Sequence, residues 1–200
     1  MSIRLKSLPE ELIWRNKPVF VEKISDDSFN IMAGPETDWF FDPADTYTKN
    51  NAPVGLFFPP DENFLLSAKV TVDFVSIYDA GVMFILVGEE SWAKLCFEYS
   101  PQKEPMVVSV VTRGKSDDSN SASIDGNTLF LRVYKQANTF AFHYSIDRCY
   151  WHLVRYFSLG KPSHLQVGFS AQSPTGQGCR VQFSEIDYQS RILSDLRNGG

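Results

Sequence analysis

The sequence predicts an all-β chain of antiparallel strands, arranged as a sandwich, jelly roll or barrel. Three observations predict it. Residues 64–74 alternate strictly, with Leu66, Ala68, Val70, Val72 and Phe74 on one side and Ser67, Lys69, Thr71 and Asp73 on the other. That is the two-residue period of a strand with one buried and one wet face. Apolar runs of strand length recur at short intervals, parted by Gly34-Pro35, Pro59-Pro60-Asp61, Asp125-Gly126-Asn127 and Ser173-Pro174-Thr175-Gly176, all of which carry turn chemistry. Aromatic residues are abundant, with 16 Phe, 8 Tyr and 4 Trp, and they suit pleated, half-buried surfaces.

In order, strands are expected at 18–24, 29–33, 55–58, 64–74, 80–87, 92–99, 106–112, 128–134, 139–146, 151–157, 165–171 and 179–186. The longest unbroken apolar run, Val82 to Val87, is far too short to cross a bilayer in a helix, which takes about 20 residues. Phe140, Phe142, Tyr144 and Ile146 alternate with Ala141, His143 and Ser145, and after a polar turn at 147–150 the chain resumes as Trp151-His152-Leu153-Val154, the pattern of a β-hairpin. The polar stretch 117–127 reads as a surface loop. Ile192, Leu193 and Leu196 share a helical face, so 190–200 reads as a short helical or flexible tail. No linker divides the chain, which leaves one domain over residues 1–200.

Composition narrows the partners. Apolar residues at 43% and charged residues at 22% are ordinary for a globular protein. With 19 Lys and Arg against 24 Asp and Glu, the acidic balance disfavours nucleic acid and anionic membranes. The N-terminus lacks the apolar stretch of a secretory signal. Cys96, Cys149 and Cys179 are odd in number and widely spaced, which fits reduced thiols in a cytoplasmic protein.

Three groups of residues resemble the DUF1349 family, small proteins of concanavalin A-like jelly-roll fold that include the fungal "regulation of enolase protein" group. The first is Glu36-Thr37-Asp38-Trp39-Phe40. The second joins Asp79-Ala80-Gly81-Val82-Met83, Glu90 to Tyr99 with its Trp92-Ala93-Lys94 and Glu98-Tyr99, and Val107 to Thr112. The third is Tyr144-Ser145-Ile146-Asp147 with Trp151, followed by Val167-Gly168-Phe169 and Ser173-Pro174. Where the family often carries Asp-Gly in the hairpin turn, Asp147-Arg148 stands here, and Ser116-Asp117-Asp118 lacks the aromatic that often follows. The resemblance implies a two-sheet antiparallel jelly-roll sandwich in a single domain. It implies no reaction, so function has to come from a site.

A retaining glycosidase places two carboxylates about 5–5.5 Å apart, which Glu-x-Asp-x-Glu along one strand supplies. The nearest match, Glu185-Ile186-Asp187-Tyr188-Gln189, ends in an amide that cannot act as a general acid. His143, His152 and His164 lack metal-site spacing, and the loop beginning at Asp117 lacks the regular acidic pattern of a Ca²⁺ loop. No metal and no cofactor is expected.

The strand 92–99 is more informative. Ala93, Leu95, Phe97 and Tyr99 form its core side, and Trp92, Lys94, Cys96 and Glu98 share the other. On a concave sheet that second face meets either Ser109 and Val111 or Val110 and Thr112, with His143 from the hairpin and Trp39 at the rim. Indole faces cover the apolar side of a sugar ring, and polar groups bond its hydroxyls. The expected ligand-binding set is Trp39, Asp38, Asp79, Trp92, Lys94, Glu98, Arg113 and His143. The expected function is non-catalytic binding of a carbohydrate or sugar phosphate in the concave cleft, and the resemblance adds a regulatory link to a protein partner in sugar metabolism. Two alternatives stand beside it. One is a protein-interaction module with no small ligand. The other is a glycan-acting enzyme in which Glu98 faces Asp38 or Asp79. Lys94 and Glu98 are also open to a purely structural pairing.

Overall fold

The computed structural model describes residues 2–161 and 164–200, and among them the chain forms seventeen strands and no helix. They are β1 (Ser2–Ile3), β2 (Leu12–Asn16), β3 (Phe20–Ser25), β4 (Ser28–Ala33), β5 (Trp39–Phe41), β6 (Thr48–Asn50), β7 (Val54–Phe57), β8 (Phe64–Val72), β9 (Ala80–Gly88), β10 (Ser91–Tyr99), β11 (Pro105–Arg113), β12 (Lys115–Ser123), β13 (Thr128–Gln136), β14 (Thr139–Ser145), β15 (His152–Phe157), β16 (Gln166–Gln172) and β17 (Cys179–Gln189). An eight-stranded sheet runs β1-β2-β7-β16-β9-β10-β11-β12, and a seven-stranded sheet runs β15-β14-β13-β8-β17-β4-β3. Neighbouring strands are antiparallel throughout both. The two-sheet jelly-roll sandwich is therefore the architecture.

Alternation decides which side chains seal the layers. Leu66, Ala68, Val70 and Val72 of β8 turn inward with Leu129, Leu131 and Val133 of β13, and they meet Met83, Ile85, Ala93, Leu95 and Phe97 from the larger sheet. Phe29, Phe169 and Phe183 pack with ring centroids 4.9–5.6 Å apart, so both sheets share one aromatic contact near the centre. The Asp79-Ala80-Gly81 pattern has two separate causes. Asp79 accepts hydrogen bonds from Ser173 Oγ at 2.6 Å and from the Val75 and Ser76 amides, and thereby closes the loop entering β9. Gly81 occupies the waist between the sheets.

Several expectations are corrected. The stretch 117–127 is not wholly loop, because β12 takes it up to Ser123 as the edge of the larger sheet. Apart from the buried Ser116, its Lys and Asp and most of its Ser side chains face water on an edge, where polarity discourages pairing with a second chain, and so it has no apolar period to reveal it. The segment 190–200 forms no helix. It lies across the outer face of the smaller sheet, with Leu193 against Leu65, Tyr134 and Ala141. Strands β1, β2, β5 and β6 were also not anticipated. In the hairpin turn, Arg148 takes φ +64° where the family often has glycine. Asp147 holds that turn by accepting from the Cys149 and Tyr150 amides at 2.8 and 3.0 Å.

A methyl group at Gly81 would lie 2.5 Å from Val70 Cγ1 and 2.7 Å from Val181 Cγ1. Gly81→Ala is therefore expected to lower unfolding stability by about 1–3 kcal/mol. Gly88→Ala meets nothing within 4 Å and should change it by less than about 0.5 kcal/mol. Denaturant melts of the two variants check this, and equal stabilities would contradict the account of the waist.

Candidate ligand-binding cleft

The outer face of the larger sheet is built from the residues that alternation turns away from the core. Register places Gly168, Phe84, Lys94, Val110 and Asp118 in one row across the strands, and Gln172, Ala80, Glu98 and Met106 in another. Of the two pairs considered for β11, the face therefore takes Val110 and Thr112.

The hairpin β5–β6 is laid over this face. A bridge between Thr37 and Ser173 ties down its start, and Phe41 N–H donates to Ser116 Oγ at 2.9 Å at its far end. Trp39 is 1% exposed and Trp92 0% exposed. They meet edge to face at 5.8 Å, Phe84 stacks on Trp92 at 5.6 Å, and Trp39 N–H at Nε1 donates to the Ala52 carbonyl at 3.0 Å. This half of the groove is thus filled by the protein's own side chains. Trp39 does not sit at the rim, and neither indole presents a free face for stacking.

The other half stays open as a cavity of about 420 Å³ over Lys94, Glu98, Val108, Val110 and Gln172, walled by Asp38, Phe40, Tyr47, Tyr78 and Asp118. Lys94 Nζ donates to Asp38 Oδ1 and to Gln172 Oε1, both at 2.9 Å. Its partner is thus Asp38 from the hairpin, not Glu98 from its own strand. Burial is the largest single effect and pushes the ammonium down, but the attraction and hydrogen bond of the Asp38 carboxylate, with Cys96 and Glu98 adding to them, together hold Lys94 above the usual lysine value. Asp38 Oδ1 also accepts from Trp39 N–H at 2.7 Å, while Oδ2 has no hydrogen-bond partner among the described residues. Gln172 Nε2 donates to the Tyr78 carbonyl at 3.3 Å. Glu98 has no cationic partner within ion-pair distance among the described residues. Burial pushes its carboxyl up to about 8, with Asp38 and Asp118 adding to the rise and Lys94 opposing it, so the group is protonated at neutral pH. Cys96 lies between Lys94 and Glu98, and burial pushes its thiol up, away from the thiolate a nucleophile needs.

Five of the eight expected residues meet here in some form. Lys94, Glu98 and Asp38 reach the cavity, and Trp92 supports its neighbouring half from below. Trp39 is packed with it. Asp79 is buried in the loop contact described above and lies outside the cavity lining. Arg113 has the inward parity of β11 and donates to the Ser158 carbonyl at the sandwich edge. His143 belongs to β14 and so to the other sheet, where it faces away from the core on the far side of the molecule. The acids Glu185 and Asp187 sit at an irregularity in β17 and are engaged by Lys69 and Arg148. Among the described residues, no three His, Cys, Asp or Glu side chains converge to hold a metal ion.

Gln172, Tyr47, Phe40 and Tyr78 were missed by sequence reasoning. Gln172 had a signal, since it follows the apolar strand 165–171 with the outward parity of Ser170. The three aromatics lie on loops or an isolated hairpin, where no period marks them.

Comparison with known proteins places this geometry. A functionally unknown protein from Saccharomyces cerevisiae superposes with a TM-score of 0.83 at 24% identity, over 91% of this chain and 97% of that one. The GH43 protein BlXynB from Bacillus licheniformis gives 0.65 at 16% identity, over 82% of this chain and 33% of that one. A xylan β-1,4-xylosidase from Bacillus halodurans C-125 gives 0.61 at 11% identity, over 91% and 41%. The chain therefore spans less than half of these last two, and the likeness in all three is one of fold. No curated protein sequence matches the chain. The family described as "Protein of unknown function (DUF1349)" matches residues 14–191, a stretch that takes in both sheets, the clamped hairpin and the cavity, and the chain belongs to that family.

Proposed function

We propose that the protein binds a neutral saccharide in the open half of the cleft. The observation that carries this is the floor. Lys94, Asp38, Gln172 and Glu98 are all buried in protein yet line one cavity, and there Lys94 keeps one ammonium hydrogen and Asp38 one carboxylate oxygen without a partner among the described residues, beside an undissociated acid. Mixed donors and acceptors beneath aromatic walls match the alternating hydroxyls and apolar C–H faces of a sugar. The volume falls within the ~300–1,000 Å³ of small-molecule sites. Charge selects within that class. Lys94 balances Asp38, Glu98 is neutral, and Lys49 and Asp118 offset one another in the lining, so the cavity has no excess positive charge to hold a sugar phosphate, which argues for an uncharged saccharide. The fold shared with proteins named as xylosidase and GH43 enzymes supports the same class. A reduced, cytoplasmic setting is part of the proposal, supported by three unpaired cysteines. A regulatory role or a protein partner in sugar metabolism is a further extension that rests on the family resemblance alone.

One observation favours a second reading. A protonated, buried glutamic acid beside other carboxylates is what a glycoside-cleaving general acid requires. Release of aryl alcohol from aryl β-xylosides or glucosides, abolished in Glu98→Gln, would establish that reading. Saccharide binding without turnover supports the non-catalytic one.

Stacking falls to Tyr47, which is 49% exposed and whose ring is held by a stack on Phe40 at 5.9 Å. Calorimetric titration with xylose, glucose and their short β-1,4 oligomers should give saturable binding, and Tyr47→Ala should weaken it about tenfold or more, equivalent to ~1.4 kcal/mol, with no loss of thermal midpoint. Unchanged affinity would remove Tyr47 from the site.

Protonation of Glu98 gives a second expectation. As pH rises through about 8, the acid loses its donor hydrogen and adds a charge beside Asp38, so saccharide affinity should fall over that range. The same group destabilises the fold as it ionises. Its folded value exceeds the unfolded one, so its stabilising effect is full below about 4.5 and is lost progressively up to about 8. Glu98→Gln should flatten both dependences. A wild-type affinity and thermal midpoint that stay level from pH 6 to 9 would contradict the assignment.

A further inference from the structure

The far side of the molecule carries a second unusual cluster. Residues 190–200 lie as a strap over the outer face of the seven-stranded sheet. Its attachments are few. Leu193 N–H donates to Tyr134 Oη at 3.2 Å, His143 Nε2 meets the Leu196 carbonyl at 2.8 Å, and Leu193 and the half-buried Leu196 pack into a small apolar patch. Beneath the strap lies Arg132, only 6% exposed, with its guanidinium 4.1 Å from the Trp151 ring centre.

Arg132 Nε and Nη2 are enclosed and have no acceptor, and the same holds for Nδ1 of His143. Arg132 and His143 are direct cross-strand partners, so the three orphaned nitrogens share one patch. Nε–H and Nη2–H are the two guanidinium groups that point the same way and grip two oxygens side-on. Among the described residues no carboxylate pairs with Arg132. Asp187, in the same row of the sheet across Ser67, is engaged by Arg148 and by Gln189, and the strap adds a further cation, Arg191, near enough to disfavour the charge on Arg132. A buried guanidinium whose fork meets no acceptor is costly to maintain, and orphaned polar groups of this kind point to a missing partner. Gly199 sits directly on the fork. It has φ +75°, and a methyl there would lie 2.4 Å from Arg132 Nη2 and 2.5 Å from Trp151 Cβ.

We propose that Arg132 and His143 form a binding site for a small oxyanion, phosphate or carboxylate, with residues 190–200 as its cover. The anion seats two oxygens on Nε–H and Nη2–H of Arg132. In the free protein, burial pushes His143 down to about 4, so its ring is neutral. A seated anion offsets the neighbouring guanidinium and favours an imidazolium, whose Nδ1–H becomes a third donor. The strap, held by side chains, lifts to admit the ligand. This site is independent of the saccharide cleft, which lies on the opposite sheet.

The full chain is titrated with inorganic phosphate and, separately, with acetate at constant ionic strength set with KCl. Arginine Nε–Hε NMR signals and the thermal midpoint are followed, with Arg132 identified by its proximity to the Trp151 ring. A saturable shift of that one signal, with a midpoint rise that levels off, is expected with at least one anion, and the anion that produces it names the source. Arg132→Lys, which keeps the charge and loses the fork, should abolish both responses. The wild-type signal is decisive even if that variant folds poorly. No saturable shift with either anion would mean that the fork holds only water and would overturn the proposal, as would an undiminished midpoint response in a folded Arg132→Lys.

Discussion

The cleft exists because one hairpin is clamped across one sheet. Strands β5 and β6 pair only with each other, so nothing in the sheet ladders holds them in place. Beyond the Thr37–Ser173 bridge that precedes β5, side chains do so instead. Trp39 wedges against Phe84 and Trp92, and Asp38 sets its carboxylate on Lys94. The indole cluster fills the half of the groove nearest Ser116, and the ion pair closes the edge of the half that remains. Without the clamp, Lys94 would be an unpaired ammonium on an apolar sheet, and Trp92 and Phe84 would face water. The apolar and ionic parts of the contact thus require one another, although they sit on adjacent residues, Asp38 and Trp39.

That arrangement bears on why polar residues are kept where apolar ones would serve stability. Replacing a buried ion pair with well-packed hydrophobic residues is often neutral or stabilising by about 1–4 kcal/mol. The Lys94–Asp38 pair is therefore weak evidence for stability, and Glu98, whose charged form burial disfavours, is weaker still. Their retention at the bottom of an open cavity is what supports recognition. The outer face of the opposite sheet shows the same logic in Arg132, a buried cation for which the described residues supply an aromatic surface but no counter-charge.

Much of this was legible from alternation alone. The inward set Leu66, Ala68, Val70 and Val72 and the split of 92–99 into two faces follow from a two-residue period, and that period also put Lys94 and Glu98 on one surface. What alternation could not give is which sheet a strand joins. His143 has the outward parity expected of it, yet its strand lies in the other layer, and parity carries no information about layer. Arg113 fails for a simpler reason, since its odd position on β11 turns it with Val111 toward the core side. Trp39 and Trp92 were assigned to the right surface but given the wrong exposure, because a short hairpin with no ladder partner covers them. Strand β12 was hidden by its polarity, and Asp38 as the partner of Lys94 depended on a contact across 56 positions of sequence.

The most direct test is a crystal structure of the protein grown with a β-1,4-linked xylose or glucose oligomer. The account predicts a sugar ring between Tyr47 and the floor, with hydroxyls within hydrogen-bond distance of Lys94 Nζ, Asp38 Oδ2 and Glu98, and with the β5–β6 hairpin unmoved. A saccharide bound elsewhere on the sandwich, or a cleft that stays filled only by solvent while the oligomer measurably binds in solution, would contradict it.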